Sequence, residues 1–169
     1  MRKFSAIFFA FVCVAAAVSC RYKGYECDKT KTGITVIYHD LVWNRFAPLE
    51  GSFTITDLRK QREIKVELSV LDGFELNHIP IEIVITSPSG QKNILNKVLV
   101  IKDKEGKHIG KVEGDVWTVE QIIYSNKEFT EAGEYTVSIQ NRTQYYELFK
   151  VKSLSFSVAM AKKKINNEE

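Results

Sequence analysis

A regular alternation of apolar and polar residues is the feature that most constrains the fold of this chain. The clearest case is residues 64–70, in which four aliphatic residues alternate with polar ones. The same period of two occurs in residues 53–56, 81–85, 135–140 and 153–158. Because successive side chains of a strand point to opposite faces, each run predicts a strand with one buried and one solvated face.

Residues 97–102 depart from this pattern, because Val98, Leu99, Val100 and Ile101 are all apolar. A run that is apolar on both faces is typical of a strand covered on both sides. We therefore expect this strand inside the sandwich, or covered by a neighbouring segment.

The segments between the strands carry turn chemistry. Pro88-Ser89-Gly90 predicts a tight hairpin, and residues 103–106, Asp-Lys-Glu-Gly, predict a slightly longer one. No window of the mature chain has the period of an amphipathic helix or the length of a βαβ crossover. The sequence therefore predicts an all-β, immunoglobulin-like antiparallel β-sandwich of about seven to nine strands.

Residues 131–135, Glu-Ala-Gly-Glu-Tyr, lead into the alternating run that follows. This pattern is typical of the corner of immunoglobulin-like domains, where a tyrosine hydroxyl bonds the backbone just upstream. The alternative is that Tyr135 is only the first core aromatic of its strand. A second aromatic group, Tyr124, Tyr145, Tyr146 and Phe149, suits either a contact surface or core packing.

The first nineteen residues have the features of a secretory signal peptide. Arg2 and Lys3 precede an uncharged run over residues 4–18, which is too short for a spanning helix of about 20 apolar residues and is followed at once by Arg21. The resulting organisation is a signal peptide at 1–19, a tether at 20–33, the sandwich at 34–160 and a charged tail at 161–169.

Residues 17–20, Ala-Val-Ser-Cys, match a bacterial lipobox, which predicts acylation of Cys20 with palmitate-type chains. Each buried methylene contributes about 0.8 kcal/mol, so two or three chains hold a protein in a membrane almost permanently. The alternative is an ordinary signal peptide with cleavage nearby. In that case Cys20 could pair with Cys27 in a disulfide; with Cys20 acylated, Cys27 has no partner. A catalytic thiol is a third interpretation of Cys27, and Asp28 opposes it.

Charge argues against a nucleic-acid partner. The chain has 24 Lys plus Arg and 21 Asp plus Glu, and the leader removes two of the cations. Positive and negative residues are interspersed, apart from Lys162–Lys164, which the two final glutamates balance. Phosphate recognition needs clustered cations, so no nucleic-acid footprint is expected.

No catalytic or metal-binding constellation is apparent. His39, His78 and His108 lie on separate segments without ligand spacing, and no Gly-x-Ser-x-Gly occurs. The spaced glycines at 106, 110 and 114 are interpreted as turn and bulge glycines, and the nearby acidic residues lack the pattern of a calcium loop. We expect neither an enzyme nor a metal, cofactor or small-molecule substrate.

Residues 106–117, Gly-Lys-His-Ile-Gly-Lys-Val-Glu-Gly-Asp-Val-Trp, are the most distinctive motif of the chain. Together with Phe129, Gly133, Tyr135, Ser138 and Ile139, and with Trp43 and residues 53–57 upstream, they resemble the gliding motility lipoprotein GldH of the Bacteroidetes. The chain departs from that pattern at Val112, at residues 128–132 and at residues 140–143. These departures affect any interaction surface beyond Ile139 more than they affect the fold.

The resemblance implies a small, non-enzymatic, membrane-anchored lipoprotein of the envelope machinery of gliding motility and type IX secretion. It would be held by acylated Cys20 and would contact other envelope proteins. Asp115 and Trp117, at alternate positions, would point to one side of a strand and are the candidate partner contacts; core packing of Trp117 is the other interpretation. The competing class is a lipid-tethered carbohydrate-binding module, with Tyr145 and Tyr146 as its platform, or an envelope enzyme.

The expected location follows from the residues after Cys20. Surface export in the Bacteroidetes is associated with acidic residues at this place, whereas this chain has Arg21, Tyr22 and Lys23. We therefore expect a domain that faces the periplasm, anchored at the outer membrane.

Overall fold

The computed structural model describes residues 25–31 and 33–161, with side chains from Gly33 onward, and this part of the chain contains β-strands and no helix. Nothing in it could therefore cross a bilayer as a helix. The strands are β1 (Tyr25–Lys31), β2 (Gly33–Tyr38), β3 (Val42–Asn44), β4 (Leu49–Ile55), β5 (Arg62–Leu71), β6 (His78–Thr86), β7 (Lys92–Val100), β8 (Lys111–Glu113), β9 (Val116–Lys127), β10 (Gly133–Asn141), β11 (Glu147–Phe149) and β12 (Val151–Met160).

These strands form antiparallel sheets, which confirms the predicted all-β class and is consistent with a β-sandwich. One sheet has six strands in the order β1-β2-β12-β5-β9-β8, and the second has four in the order β4-β10-β6-β7. A two-stranded ribbon pairs β3 with β11. Three of the twelve described strands have only three residues, too few for alternation to reveal; the nine longer ones fall within the predicted number.

The inward side chains of both sheets form one hydrophobic core. Ile64, Val66, Leu68 and Val70 of β5 are fully buried, and the isoleucines of β6 are buried in the facing sheet. Burying a side chain of this size contributes about 1.5–3 kcal/mol. The alternation therefore marks the core residues correctly.

Tyr135 forms the predicted corner. Its hydroxyl donates to the carbonyl of Glu131 at 2.9 Å, and its ring stacks on Phe53 with 5.5 Å between ring centroids. Burial raises the pKa of the Tyr135 hydroxyl. Both interpretations of Tyr135 therefore apply, because its hydroxyl bonds the loop upstream and its ring packs in the core.

Both predicted hairpin turns are present. In the first, the amide of Gly90 donates to the carbonyl of Ser87 at 2.9 Å. In the second, the carboxylate of Asp103 accepts from the amides of Glu105 and Lys107. The acidic side chain at 103 therefore stabilises its own turn.

The expectation that residues 97–102 are covered on both faces is wrong for the described structure. Strand β7 lies at the edge of the four-stranded sheet, where Leu99 and Ile101 are buried but Val98 and Val100 remain 45% and 44% exposed. The run is apolar on both faces, yet strand order gives it only one covering layer.

The first strand lies in the segment that the sequence assigned to the tether. In the pairing of β1 with β2, Tyr25 is opposite Tyr38 and Lys31 is opposite Gly33. Cys27 lies in β1, opposite Val36. The signal peptide at 1–19, Cys20 and the tail from residue 162 lie outside the described residues.

The glycines of the distinctive motif have conformations that other residues disfavour. Gly106, Gly110 and Gly114 have φ values of 81°, 97° and 62°, which supports their interpretation as turn and bulge glycines. Gly110 has an additional constraint, because a Cβ there would collide with the carbonyl oxygen of Thr118 in β9. A Cβ at Gly106 would meet only open space.

These two glycines give a matched test. Gly110→Ala should lower the free energy of unfolding by about 2–4 kcal/mol, because strain from positive φ adds to a backbone collision. Gly106→Ala should cost only about 1–2 kcal/mol, from φ alone. Urea denaturation of both variants measures the difference, and equal losses would contradict the importance of the close approach at Thr118.

Candidate functional site

The exposed large hydrophobic side chains of the described residues concentrate on two surfaces. The first surface contains Ile94, Val98 and Val100, and the second contains Phe46, Tyr145, Tyr146 and Phe149. Single exposed hydrophobic residues are ordinary on soluble domains, whereas contiguous groups mark interaction sites.

The first surface, called here the β6–β7 face, is the outer side of one sheet edge. Ile94 lies opposite Val84 and Val98 lies opposite Pro80 in the register of the two strands. Between these pairs lies Glu82, which accepts from the guanidinium of Arg142 at 2.6 Å. The face is therefore a pair of apolar areas separated by an ion pair.

The other edge of the same sheet has a different character. The exposed residues of β4 are Glu50, Ser52 and Thr54, all polar. In the four-stranded sheet, exposed apolar side chains thus occur at the β7 edge and not at the β4 edge.

Strand β7 also carries a feature that discourages indiscriminate pairing. Lys97 shares the inner side of the strand with Leu95 and Leu99 and is half-buried. Inward-pointing charges at an edge strand oppose the addition of further strands. This arrangement favours a contact across the outer face over strand addition at the edge.

The second surface lies on the β3–β11 ribbon. Trp43 and Leu148, opposite one another in the ribbon, are buried against the core. On the other side, Phe46, Tyr146 and Phe149 are 64%, 67% and 63% exposed. The ribbon is therefore amphipathic and carries its aromatic side chains outward.

Hydrogen bonds to the main chain hold this ribbon in place. The amide of Arg45 donates to the carbonyl of Tyr146 at 2.7 Å, and the side-chain amide of Gln140 donates to the carbonyl of Arg45 at 2.8 Å. Lys150 has a φ of 65°, and its ammonium lies 3.2 Å from the carbonyl oxygens of Asp72 and Gly73. The exposed aromatic residues are thus fixed at both ends of the ribbon.

A groove of about 310 Å³ runs beside the ribbon. Its walls include Phe74, Leu76, Tyr145 and Phe149, together with Glu75 and Glu147. Of the aromatic group considered in the sequence, Tyr124 is half-buried against the core instead, whereas Phe46 joins the surface without a sequence signal.

Asp115 and Trp117 do not lie on one strand, so the shared strand expected from their alternate positions is wrong, whereas their contact with a partner stays a prediction. Strand β9 begins at Val116, so Asp115 lies in the two-residue turn after β8, where its carbonyl accepts from the amide of Asp72 at 2.8 Å. Trp117 is half-buried opposite Val70 and packs against the core. The turn therefore contains Asp115, and the strand contains Trp117.

Trp117 stacks on His108, with 5.2 Å between ring centroids. Burial, followed by the nearby charge of Lys102, lowers the pKa of His108, and Asp72 opposes this in part. The pair is therefore a stacked contact between β9 and the segment before β8, and the lowered pKa favours the uncharged imidazole. This geometry favours a packing role for Trp117.

We expect Trp117→Ala to lower the free energy of unfolding by about 2 kcal/mol, roughly half the cost of truncating a fully buried tryptophan. Val112→Ala is the matched control, because Val112 is the exposed cross-strand neighbour and should cost less than about 0.5 kcal/mol. Thermal melts of both variants give the comparison. An unchanged melt for Trp117→Ala, with loss of a co-purifying partner, would show that the residue serves contact and not packing.

Comparison with known proteins bears on the whole domain. A family model described as GldH lipoprotein matches residues 36–158, which is more than half of the chain. No curated protein matches at a significant level. Among solved structures, one described as accessory secretory protein 1, 2 and 3 of Streptococcus pneumoniae is similar with 12% identity and a TM-score of 0.32, over 86% of this chain and 91% of that one.

Proposed function

Because the chain belongs to the GldH lipoprotein family, we propose that it is a non-enzymatic, membrane-anchored component of the envelope machinery associated with gliding motility and type IX secretion. It acts through contacts with other envelope proteins. The family is not an enzyme family, and its lipoprotein character suggests an anchored envelope protein.

The β6–β7 face is the observation that carries this proposal. Its three exposed aliphatic side chains lie on a strand that pairs with β6 along its whole length, so a partner meets them without ordering a loop. Burying an aliphatic side chain contributes about 1.5–3 kcal/mol, and the translational and rotational freedom lost on association offsets part of that gain. The central ion pair between Glu82 and Arg142 supplies a polar contact that fixes the orientation of the partner on this face.

The anchor of this proposal is acylated Cys20. The residues after it, Arg21, Tyr22 and Lys23, lack the acidic character associated with surface export, so we place the domain on the periplasmic side of the outer membrane.

The first test concerns the anchor. Cells grown with labelled palmitate should incorporate the label into the wild-type protein, and Cys20→Ala should lose it completely. Cys27→Ala serves as the control and should keep the label. Retention of label by Cys20→Ala would refute lipidation at this residue.

The second test concerns the partner contact. Val98→Glu places a charge on the exposed β6–β7 face, and it should reduce capture of the native envelope partner at least about tenfold, equivalent to about 1.4 kcal/mol. Thr54→Glu, on the exposed side of the opposite sheet edge, should leave capture unchanged. Quantitative mass spectrometry of affinity-isolated, cross-linked envelopes measures both, and both melting transitions should stay close to that of the wild type. Equal capture by the two variants would rule out this face.

A lipid-tethered carbohydrate-binding module is the second candidate, and the exposed Tyr145 and Tyr146 favour it. Sugar stacking needs a flat aromatic platform, whereas the rings of Phe46 and Tyr146 are tilted by 31° at 5.7 Å. A glycan array separates the two candidates, because saturable binding that Tyr146→Ala abolishes would favour the carbohydrate function.

A further inference from the structure

The described chain enters the domain at the end that carries the exposed aromatic residues. Tyr25, the first residue of β1, lies opposite Tyr38, the last residue of β2. Strand β12 begins at this same end, where the amide of Val151 donates to the carbonyl of Leu41 at 3.0 Å. The β3–β11 ribbon lies between these strand ends, so we call this the ribbon end of the sandwich.

Chain length limits how far the ribbon end can lie from an anchor at Cys20. Tyr25 is five residues further along the chain, which spans at most about 17 Å when fully extended. The headgroup region of a bilayer is about 5–8 Å thick on each side of the hydrocarbon. If residues 25–31 did not pair as β1, the segment from 20 to 33 would allow a far larger distance between the domain and the anchor.

The opposite end of the sandwich has a different chemistry. Its turn between β4 and β5 carries an ion pair of Asp57 with Arg59, and its other turns present Glu131 and the hydrogen-bonded Ser89. The ribbon end also carries charged residues, but it differs in presenting four exposed aromatic side chains, Phe46, Tyr145, Tyr146 and Phe149. Amphipathic aromatic rings are enriched where membrane hydrocarbon meets water.

We propose that the ribbon end rests on the surface of the anchoring membrane, with these four aromatic side chains among the lipid headgroups. This inference rests on the proposed acylation of Cys20. The bilayer is thus the proposed occupant of the aromatic surface, because the chain reaches the domain at that surface and not at the opposite end.

Charge at the ribbon end indicates which property of the membrane is recognised. The cations Arg45, Lys102 and Lys150 lie at this end together with the anions Asp72, Glu75 and Glu147. The turn at residues 103–107, which follows β7 at the same end, adds charges of both signs, so neither sign dominates. The contact therefore depends on insertion of aromatic rings, and zwitterionic lipids are sufficient for it.

The test uses the mature, acylated protein reconstituted in phosphatidylcholine vesicles whose acyl chains carry bromine, which quenches nearby tryptophan. Tyr146→Trp should lose at least about twice as much added fluorescence as the control, because interfacial rings lie close to the acyl chains. The control is Leu58→Trp, since Leu58 is 40% exposed in a turn at the opposite end. The unsubstituted protein corrects for Trp43 and Trp117, and unchanged melting transitions verify the fold.

Two readouts distinguish docking of the ribbon end from anchoring at Cys20, on which the docking proposal rests. Co-flotation with vesicles reports anchoring, and its loss in the acylated preparation would overturn both. If the protein floats with the vesicles but Tyr146→Trp is quenched no more than Leu58→Trp, anchoring stands and docking of the ribbon end is refuted. In that event the aromatic surface faces water, where it could bind a protein or a glycan.

Discussion

Burial of the aliphatic face of β5 is the constraint on which the rest of the domain depends. The strand is hydrogen-bonded on both sides, to β12 and β9, while its four apolar residues pack against the facing sheet. A slip of one residue in register would bring Lys65 and Glu67 into the core and expose the aliphatic residues. This penalty fixes the register of the central strands more strictly than that of the sheet edges.

Much of this architecture could be predicted, because the period of two is a local property. The alternation identifies the long strands, and the Glu131–Tyr135 corner was recognisable from its spacing. Strand order is not local, which is why the apolar run at Val98–Ile101 gave the right element but the wrong environment. The pair Gly114-Asp115 is a turn signal that could have excluded Asp115 from the strand, since glycine readily adopts the required positive φ.

The two candidate surfaces could not be predicted from the sequence to the same extent. Tyr145, Tyr146 and Phe149 stand out by composition, but their exposure depends on Trp43 and Leu148 occupying the buried side of the ribbon. Three-residue strands such as β3 and β11 leave too short a pattern to reveal which side faces the core. Phe46 joins the surface only because a turn brings it to Tyr146.

Strand β7 ends at Val100, at the ribbon end, and Ile94 lies six residues further from that end. With the ribbon against lipid, the rise of about 3.4 Å per residue in an antiparallel strand sets the apolar positions at successive heights of up to about 20 Å. In this proposed orientation the β6–β7 face would stand upright, and a second membrane-bound protein would reach it by lateral diffusion in the plane of the bilayer. Confinement to two dimensions would raise the effective concentration of such a neighbour, so a modest apolar contact would be enough to form the complex.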